Sequence, residues 1–260
     1  TRWLDEGVLP ILHARLLDGP ISYDYTAFTT LERSPLTMEH IAGTHYLVAD
    51  QYSYGSMFTP EQAQRCAELL DAEMNRPEET VCYLRVAAVN TGAAPKYCYM
   101  RVPQPNVFSS PDMHKVAVQY DGETGLGSFS TERVFLAATV NGRPVPHIEM
   151  SVLLAPGEKA EYVFKLPHRP IPAARAADLA RTSFDAKLAE CRAFWRRKLA
   201  AMPALHLPEK RIDEMMRAGL LHLDLVAYGK EPDGAVAATI GVYSPIGSES
   251  APIIQFIDSM

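Results

Sequence analysis

The sequence predicts a mainly β protein, a large antiparallel β-sandwich followed by a small α-helical segment. Three observations carry this. Runs rich in β-branched and aromatic residues fill the first part of the chain up to about residue 170, turn chemistry separates them, and after His168-Arg169-Pro170 the apolar period changes from 2 to 3.6. Strands that follow one another without helices between them pair antiparallel, because a parallel pair needs a long crossover.

The runs are Val8–Leu17, Ile21–Leu31, His45–Tyr54, Thr80–Val89, Lys96–Val102, Lys115–Tyr120, Val134–Val140, His147–Leu154 and Lys159–Leu166. Asp18-Gly19-Pro20, Asn90-Thr91-Gly92, Asp121-Gly122, Asn141-Gly142 and Pro156-Gly157 punctuate them. Asn141-Gly142 is the clearest hairpin signal, since a type I′ turn needs positive φ at both central residues. One helix interrupts the strands near residues 60–73. Thr59 fits its N-cap, Pro60 its first position and Gln62 the capping-box partner, with Ala63, Cys66, Ala67 and Leu70 as the apolar stripe.

In the second part Ser183 caps a helix whose apolar face is Phe184, Leu188, Cys191, Trp195 and Leu199, ended by Pro203. A second helix begins at Pro208, carries Ile212, Met215, Met216, Leu220, Leu223 and Val226 or Ala227, and stops at Gly229. Val236–Tyr243 follows as an apolar run, and Ser250 with Pro252 opens a third helix through Ile253, Ile254, Phe256 and Ile257. The expected organisation is a sandwich over 1–170, a helical linker over 171–207 and bundle helices over 208–260.

Composition narrows the function classes. A formal net charge of −6 over 260 residues argues against a nucleic-acid partner, which calls for a basic stripe. The densest basic cluster, Arg192, Arg196, Arg197 and Lys198, suits the negative end of a helix and reads as a solvated face. No apolar run reaches membrane-spanning length, so no membrane partner is expected. Cys66, Cys82, Cys98 and Cys191 show no CxxC spacing and sit in apolar patterns, which predicts buried free thiols. The chain opens at Thr1, so the lack of a signal peptide carries no information on compartment.

No metal or cofactor is called for. The eight histidines show neither HxH nor HExxH spacing, and GxSxG, P-loop and strand-GxGxxG-helix patterns do not occur. Gly122, Gly125 and Gly127 crowd one loop, but no helix follows, so a hairpin loop is expected there. The densest polar segment runs from Gly241 to Ser250. Tyr243 can stack on a sugar face and donate from its hydroxyl, and Glu249 can accept from two hydroxyls. The competing reading is that Ser248, Glu249 and Ser250 cap the following helix. Glu249 and Asp258 do not make a glycosidase carboxylate pair. Nine helical residues rise about 13 Å, beyond the roughly 6.5–9.5 Å of inverting enzymes.

The phrasing AECRAFWRRKLAAMPALHLPE, MMRAGLLHLDLVAYG and GVYSPIGSESAPIIQFIDSM, behind a long antiparallel sandwich, resembles the front of the six-hairpin, (α/α)6-barrel glycosidases. These include glucoamylase, trehalase, rhamnosidase and disaccharide-phosphorylase groups. The resemblance covers the whole chain in architecture and is sharpest over 184–260. It implies a β-sandwich, a linker and the first helices of an incomplete α/α barrel, with an oligosaccharide or glycoside as substrate. It also implies Tyr243 and Glu249 as substrate-binding contacts, although Ser-Glu-Ser stands where several members carry Arg-Asp or Trp-Asp. The family's general acid and base lie on later barrel loops and have no counterpart in these 260 residues.

The expected function is therefore the non-catalytic front portion of a glycoside hydrolase or phosphorylase. The alternatives are a stand-alone carbohydrate-binding sandwich, which exposed aromatics would favour, and a structural module whose helices dock on another chain. A barrel interrupted at residue 260 is expected to expose apolar surface and to self-associate.

Overall fold

The computed structural model describes residues 1–43, 45, 48, 58–105, 117–204, 206–229, 236–238, 251, 252, 254 and 255. The protein is mainly antiparallel sheet with a smaller helical part, as the sequence predicts. It divides into two compact units, one of Thr1–Asp5, Ile11–Ser34 and Glu78–Arg192, the other of Glu6–Pro10, Pro35–Pro77 and Ala193–Met260.

The first unit is the sandwich. Its long strands are β1 (Arg2–Asp5), β2 (Leu9–Asp18), β3 (Ile21–Leu31), β4 (Thr80–Asn90), β8 (Arg133–Val140) and β11 (Lys159–Pro167). With β6 (Val118–Asp121) and β7 (Leu126–Phe129) they form one sheet in the order β1-β2-β3-β4-β11-β8-β7-β6. The short strands β9 (Arg143–Pro144) and β12 (Ile171–Pro172) pair with β8. Strands β5 (Lys96–Arg101) and β10 (Glu149–Leu154) make a second, two-stranded sheet.

The period-2 pattern sorts the side chains. Ile21 and Tyr23 of β3, Val86 and Ala88 of β4, and Ala160, Tyr162 and Phe164 of β11 bury one face of the large sheet. Against them sit Cys98 of β5 and Leu154 of β10, the inner face of the small sheet. The backbone N–H of Tyr99 donates to the Tyr23 hydroxyl at 2.9 Å, and fully buried Asn90 donates to the carbonyls of Ala94 and Leu154 at 2.8 and 2.9 Å. The opposite face of the large sheet carries Phe28, Tyr83 and Lys165. It is covered within the unit by α2 (Ala173–Arg181) and the start of α3 (Phe184–Ala201). Phe184 meets Phe28 edge-on at 5.1 Å, and the Arg85 guanidinium lies 4.3 Å from its ring centre. Both faces are thus covered at the central strands β3, β4, β8 and β11, which is why these read as dense apolar runs, whereas Leu12, Leu16 and Leu17 of β2 stay exposed.

Several elements follow the sequence closely, with ends shifted by a residue or two. The expected hairpin loop with Gly125 forms: Gly125 takes a φ of +72°, and Asp121 accepts from the Glu123 N–H and the Thr124 hydroxyl. At Gly122 a side chain would collide with the Pro146 carbonyl. Asn141 and Gly142 both have positive φ, as their turn requires. The four cysteines are free thiols, with Cys66, Cys98 and Cys191 buried. Strands β1 and β7 have no counterpart in the sequence reading, and α2 is anticipated only as part of the helical linker over 171–207, not as a separate helix. Helix α2 starts at Pro172 without a side-chain cap, so it lacks the usual signature.

In the second unit, α1 (Pro60–Met74) has the expected capping box, with Gln62 N donating to Thr59 Oγ1 at 3.3 Å and Thr59 N to Gln62 Oε1 at 2.9 Å. Its buried stripe is Cys66, Leu69 and Glu73, whereas Ala63 and Ala67 are exposed. The helix is rotated from the expected face because Glu73 is buried in an ion pair with Arg76, whose guanidinium also donates to the Gly43 carbonyl at 2.8 Å. Trp195 is buried, as expected, edge-on to Phe194.

Helix α4 (Lys210–Val226) departs further from its expected face. Ala218, Leu220 and Leu221 are buried, while Ile212, Met215 and Met216 are exposed. Polar groups take up the other side. Asp213 accepts from the Leu207 N–H at 2.9 Å, Asp224 pairs with Lys198 at 2.9 Å, and Glu214 lies against the Cα of Gly7. The helix ends at Val226 rather than Gly229, because Ala227–Gly229 forms β13 and pairs with β14 (Val236–Ala238). Ala251, Pro252, Ile254 and Gln255 are helical, in keeping with the third predicted helix. Among the described residues no helix is long and apolar enough to cross a membrane.

Candidate functional site

The two residues that the sequence singles out, Tyr243 and Glu249, lie outside the described residues, as does Asp258. The chemistry that can be built from geometry lies in the sandwich unit, in three polar clusters and one surface.

The first cluster joins β1, β2, β3 and α3. His13 Nε2 is 3.0 Å from Asp5 Oδ1 and its Nδ1 is 3.2 Å from Thr26 Oγ1, the order of a hydroxyl–imidazole–carboxylate relay. The surroundings give it a different role. Arg192 grips both Asp5 oxygens at 2.6 and 3.1 Å, and Trp3 stacks on the imidazole at 5.5 Å. Burial pushes the Asp5 carboxyl up, but Arg192 and His13 together hold it below the usual carboxylate range. These contacts clamp strand to helix. The reading of the basic cluster as a solvated face holds for Arg196 and Arg197, which are exposed, Arg196 pairing with Glu6, whereas Arg192 and Lys198 are half-buried and pair with Asp5 and Asp224.

The second cluster is a run of glutamates at the ends of β3 and β4. Glu32 and Glu79 are almost fully buried. Arg175 donates to Glu32 at 3.1 Å and Arg169 to Glu79 at 2.8 Å. Against its own burial, Glu78 is held below its usual range by the Ser34 hydroxyl and the N–H groups of Arg33, Ser34 and Glu79. Carboxylates matched to arginines in this way serve as structural ties. The network ties the strand ends to α2.

The third is Lys165, buried at the C-terminal end of α2. Its three donors go to the carbonyls of Leu179, Ala180 and Thr182 at 2.9, 2.7 and 2.5 Å. Burial pushes its pKa down to about 8. The ammonium satisfies carbonyls that a helix end leaves open, which makes it a cap and not a nucleophile.

The surface is the outward face of β5 and β10. Antiparallel register sets Tyr97 opposite Leu153, Tyr99 opposite Ser151 and Arg101 opposite Glu149. Tyr97 is 49 % and Tyr99 64 % exposed, with ring centres 6.5 Å apart, and Arg101 lies 3.4 Å from Glu149. The signal was present in the sequence as Tyr-Cys-Tyr, but only the sheet shows which member of that alternation faces outward. Among the described residues no cluster of His, Cys, Asp or Glu side chains is arranged to hold a metal ion. No family model and no curated protein matches the chain.

Proposed function

We propose that the chain is the front portion of a carbohydrate-active enzyme of the glycoside hydrolase or phosphorylase class. In this reading it supplies the β-sandwich and linker, and the catalytic acid and base lie elsewhere in the parent protein. One observation carries it: an antiparallel sandwich passes through α2 into the long helix α3 and then α4, the order that the resembled glycosidases place ahead of their barrel. The open side of α4 adds support. Met215, Met216, Gly219 and Leu223 line an apolar cavity of about 270 Å³, which is the kind of surface a neighbouring barrel helix would cover. Without that neighbour the same surface would drive self-association. Tyr243 and Glu249 are proposed as sugar contacts.

The test compares the 260-residue chain with the product of the uninterrupted native reading frame on aryl glycosides and oligosaccharides, with and without phosphate. The longer product is expected to turn over substrate, to melt at higher temperature and to self-associate less. The 260-residue chain is expected to cleave nothing. Turnover by the short chain, abolished by Glu249→Gln, would refute the reading, as would a reading frame that supplies no further helices.

A second reading, a stand-alone carbohydrate-binding sandwich, is favoured by the outward tyrosines of β5.

A further inference from the structure

We infer that the outward face of β5 and β10 is a binding platform for a neutral, extended polysaccharide, with Tyr97 and Tyr99 as its stacking rings. This deepens the carbohydrate reading above and rests on it for the class of ligand. The site itself stands on the geometry of the sandwich unit alone.

Packing does not account for these rings. The small sheet buries its inner side through Cys98 and Leu154, and the tyrosines point the other way. Cross-strand pairing explains a Tyr97–Leu153 contact, since an aromatic opposite an aliphatic is a favourable pair. It does not explain Tyr99, which stands opposite Ser151 and is the more exposed of the two. An aromatic ring left in water forgoes the stabilisation that burial would bring, so two neighbouring ones on one strand point to a ligand that covers them.

The geometry sets the ligand's chemistry. The rings lie in line along the strand, 6.5 Å apart and tilted by 39°, a spacing comparable to the repeat of a pyranose chain. Pyranoses whose hydroxyls are equatorial present flat C–H faces that stack on aromatic rings. Arg101 and Glu149 continue the same face, with side chains 71 % and 73 % exposed, and provide donors and acceptors for hydroxyls on adjacent ring carbons. Their charges cancel within 3.4 Å, which suits a neutral ligand better than a phosphate or a nucleic acid. The face comprises three cross-strand pairs. A stable protein partner needs roughly 800 Å² from each side, so a strip this narrow fits two or three sugar units better than a second protein. Chains with equatorial hydroxyls and β-linkages, such as β-glucan and xylan, are the expected class.

The test is affinity electrophoresis and calorimetry of the 260-residue chain with soluble β-glucan, xylan and soluble starch. Tyr99→Ala, Tyr97→Ala, the double variant and Tyr99→Trp are compared with the parent. Binding to β-linked chains is expected to exceed that to starch. Each alanine substitution should weaken binding at least about tenfold, the double variant should abolish it, and Tyr99→Trp should retain it. Unchanged thermal melting would separate loss of a contact from loss of fold. Binding that survives in the double variant overturns the platform and leaves the carbohydrate reading in place. A parent chain that binds none of the polysaccharides overturns the platform too, while the reading-frame test still decides the parent enzyme. Self-association that the double variant removes would make the face an interface between copies and would likewise overturn the proposal.

Discussion

Tyr83 and Tyr162 in the large sheet and Tyr97 and Tyr99 in the small one are the same residue type in the same extended conformation. Their surroundings differ completely. Tyr83 stacks on Phe28 at 5.3 Å and faces Phe184, and Tyr162 is closed over by Cys98, so both are fully buried. Tyr97 is about half and Tyr99 nearly two-thirds exposed. The central strands of the large sheet have a layer on each side, so their side chains are fixed by packing. The small sheet has one buried side, which frees the other for contacts outside the fold. Position in the layers, and not residue type, decides which aromatics hold the structure together.

That contrast can be broken by substitution, beginning with the core. Phe184→Ala removes a ring from beneath Arg85 and beside Phe28, and should cost about 3–5 kcal/mol in denaturant unfolding. Trp195→Ala should cost a similar amount, about 3–5 kcal/mol, and a loss below about 1 kcal/mol would show that the α3 face is solvated. Asn90→Ala leaves the carbonyls of Ala94 and Leu154 and the Gly92 N–H without their side-chain partner, at a cost of about 1–3 kcal/mol.

A smaller effect concerns pH. Lys165 titrates at about 8 in the folded state, against about 10.4 in the unfolded chain. Between those values the unfolded chain binds the extra proton, so this group makes stability rise with pH from about 8 toward 10. Below pH 8 both states are protonated and the slope vanishes. Lys165→Met should flatten the rise, measured as the unfolding midpoint at successive pH values. A parent protein whose midpoint falls over that interval, with the variant unchanged, would contradict the assignment.

The strands were legible because period 2 leaves little choice: Ile21–Leu31 is a strand with the same bounds in sequence and structure. The Thr59 capping box was equally local, since its partners are three residues apart. Helix faces were less legible. Apolar residues occupy more than one side of α4, and the buried side is selected by ion pairs such as Lys198–Asp224 that join residues distant in sequence. In α1 the buried stripe is Cys66, Leu69 and Glu73 in place of the alanines; Glu73 pairs with Arg76, three residues on, and the distant link is from Arg76 to the Gly43 carbonyl. Helix α2 was hidden because Lys165, fourteen residues away, caps its end in place of a local signal. The outward tyrosines could be seen as an alternation but not assigned to a face, because that needs the position of the second sheet.

The most direct test of the division between structural and outward aromatics is paired denaturant unfolding of the Tyr97→Ala/Tyr99→Ala double variant and Phe184→Ala. The account predicts that the double variant loses no more than about 1–2 kcal/mol, the worth of one cross-strand pair and of strand propensity, while Phe184→Ala loses about 3–5 kcal/mol. A double variant destabilised as much as Phe184→Ala would show that the outward tyrosines are part of the packing, and would contradict it.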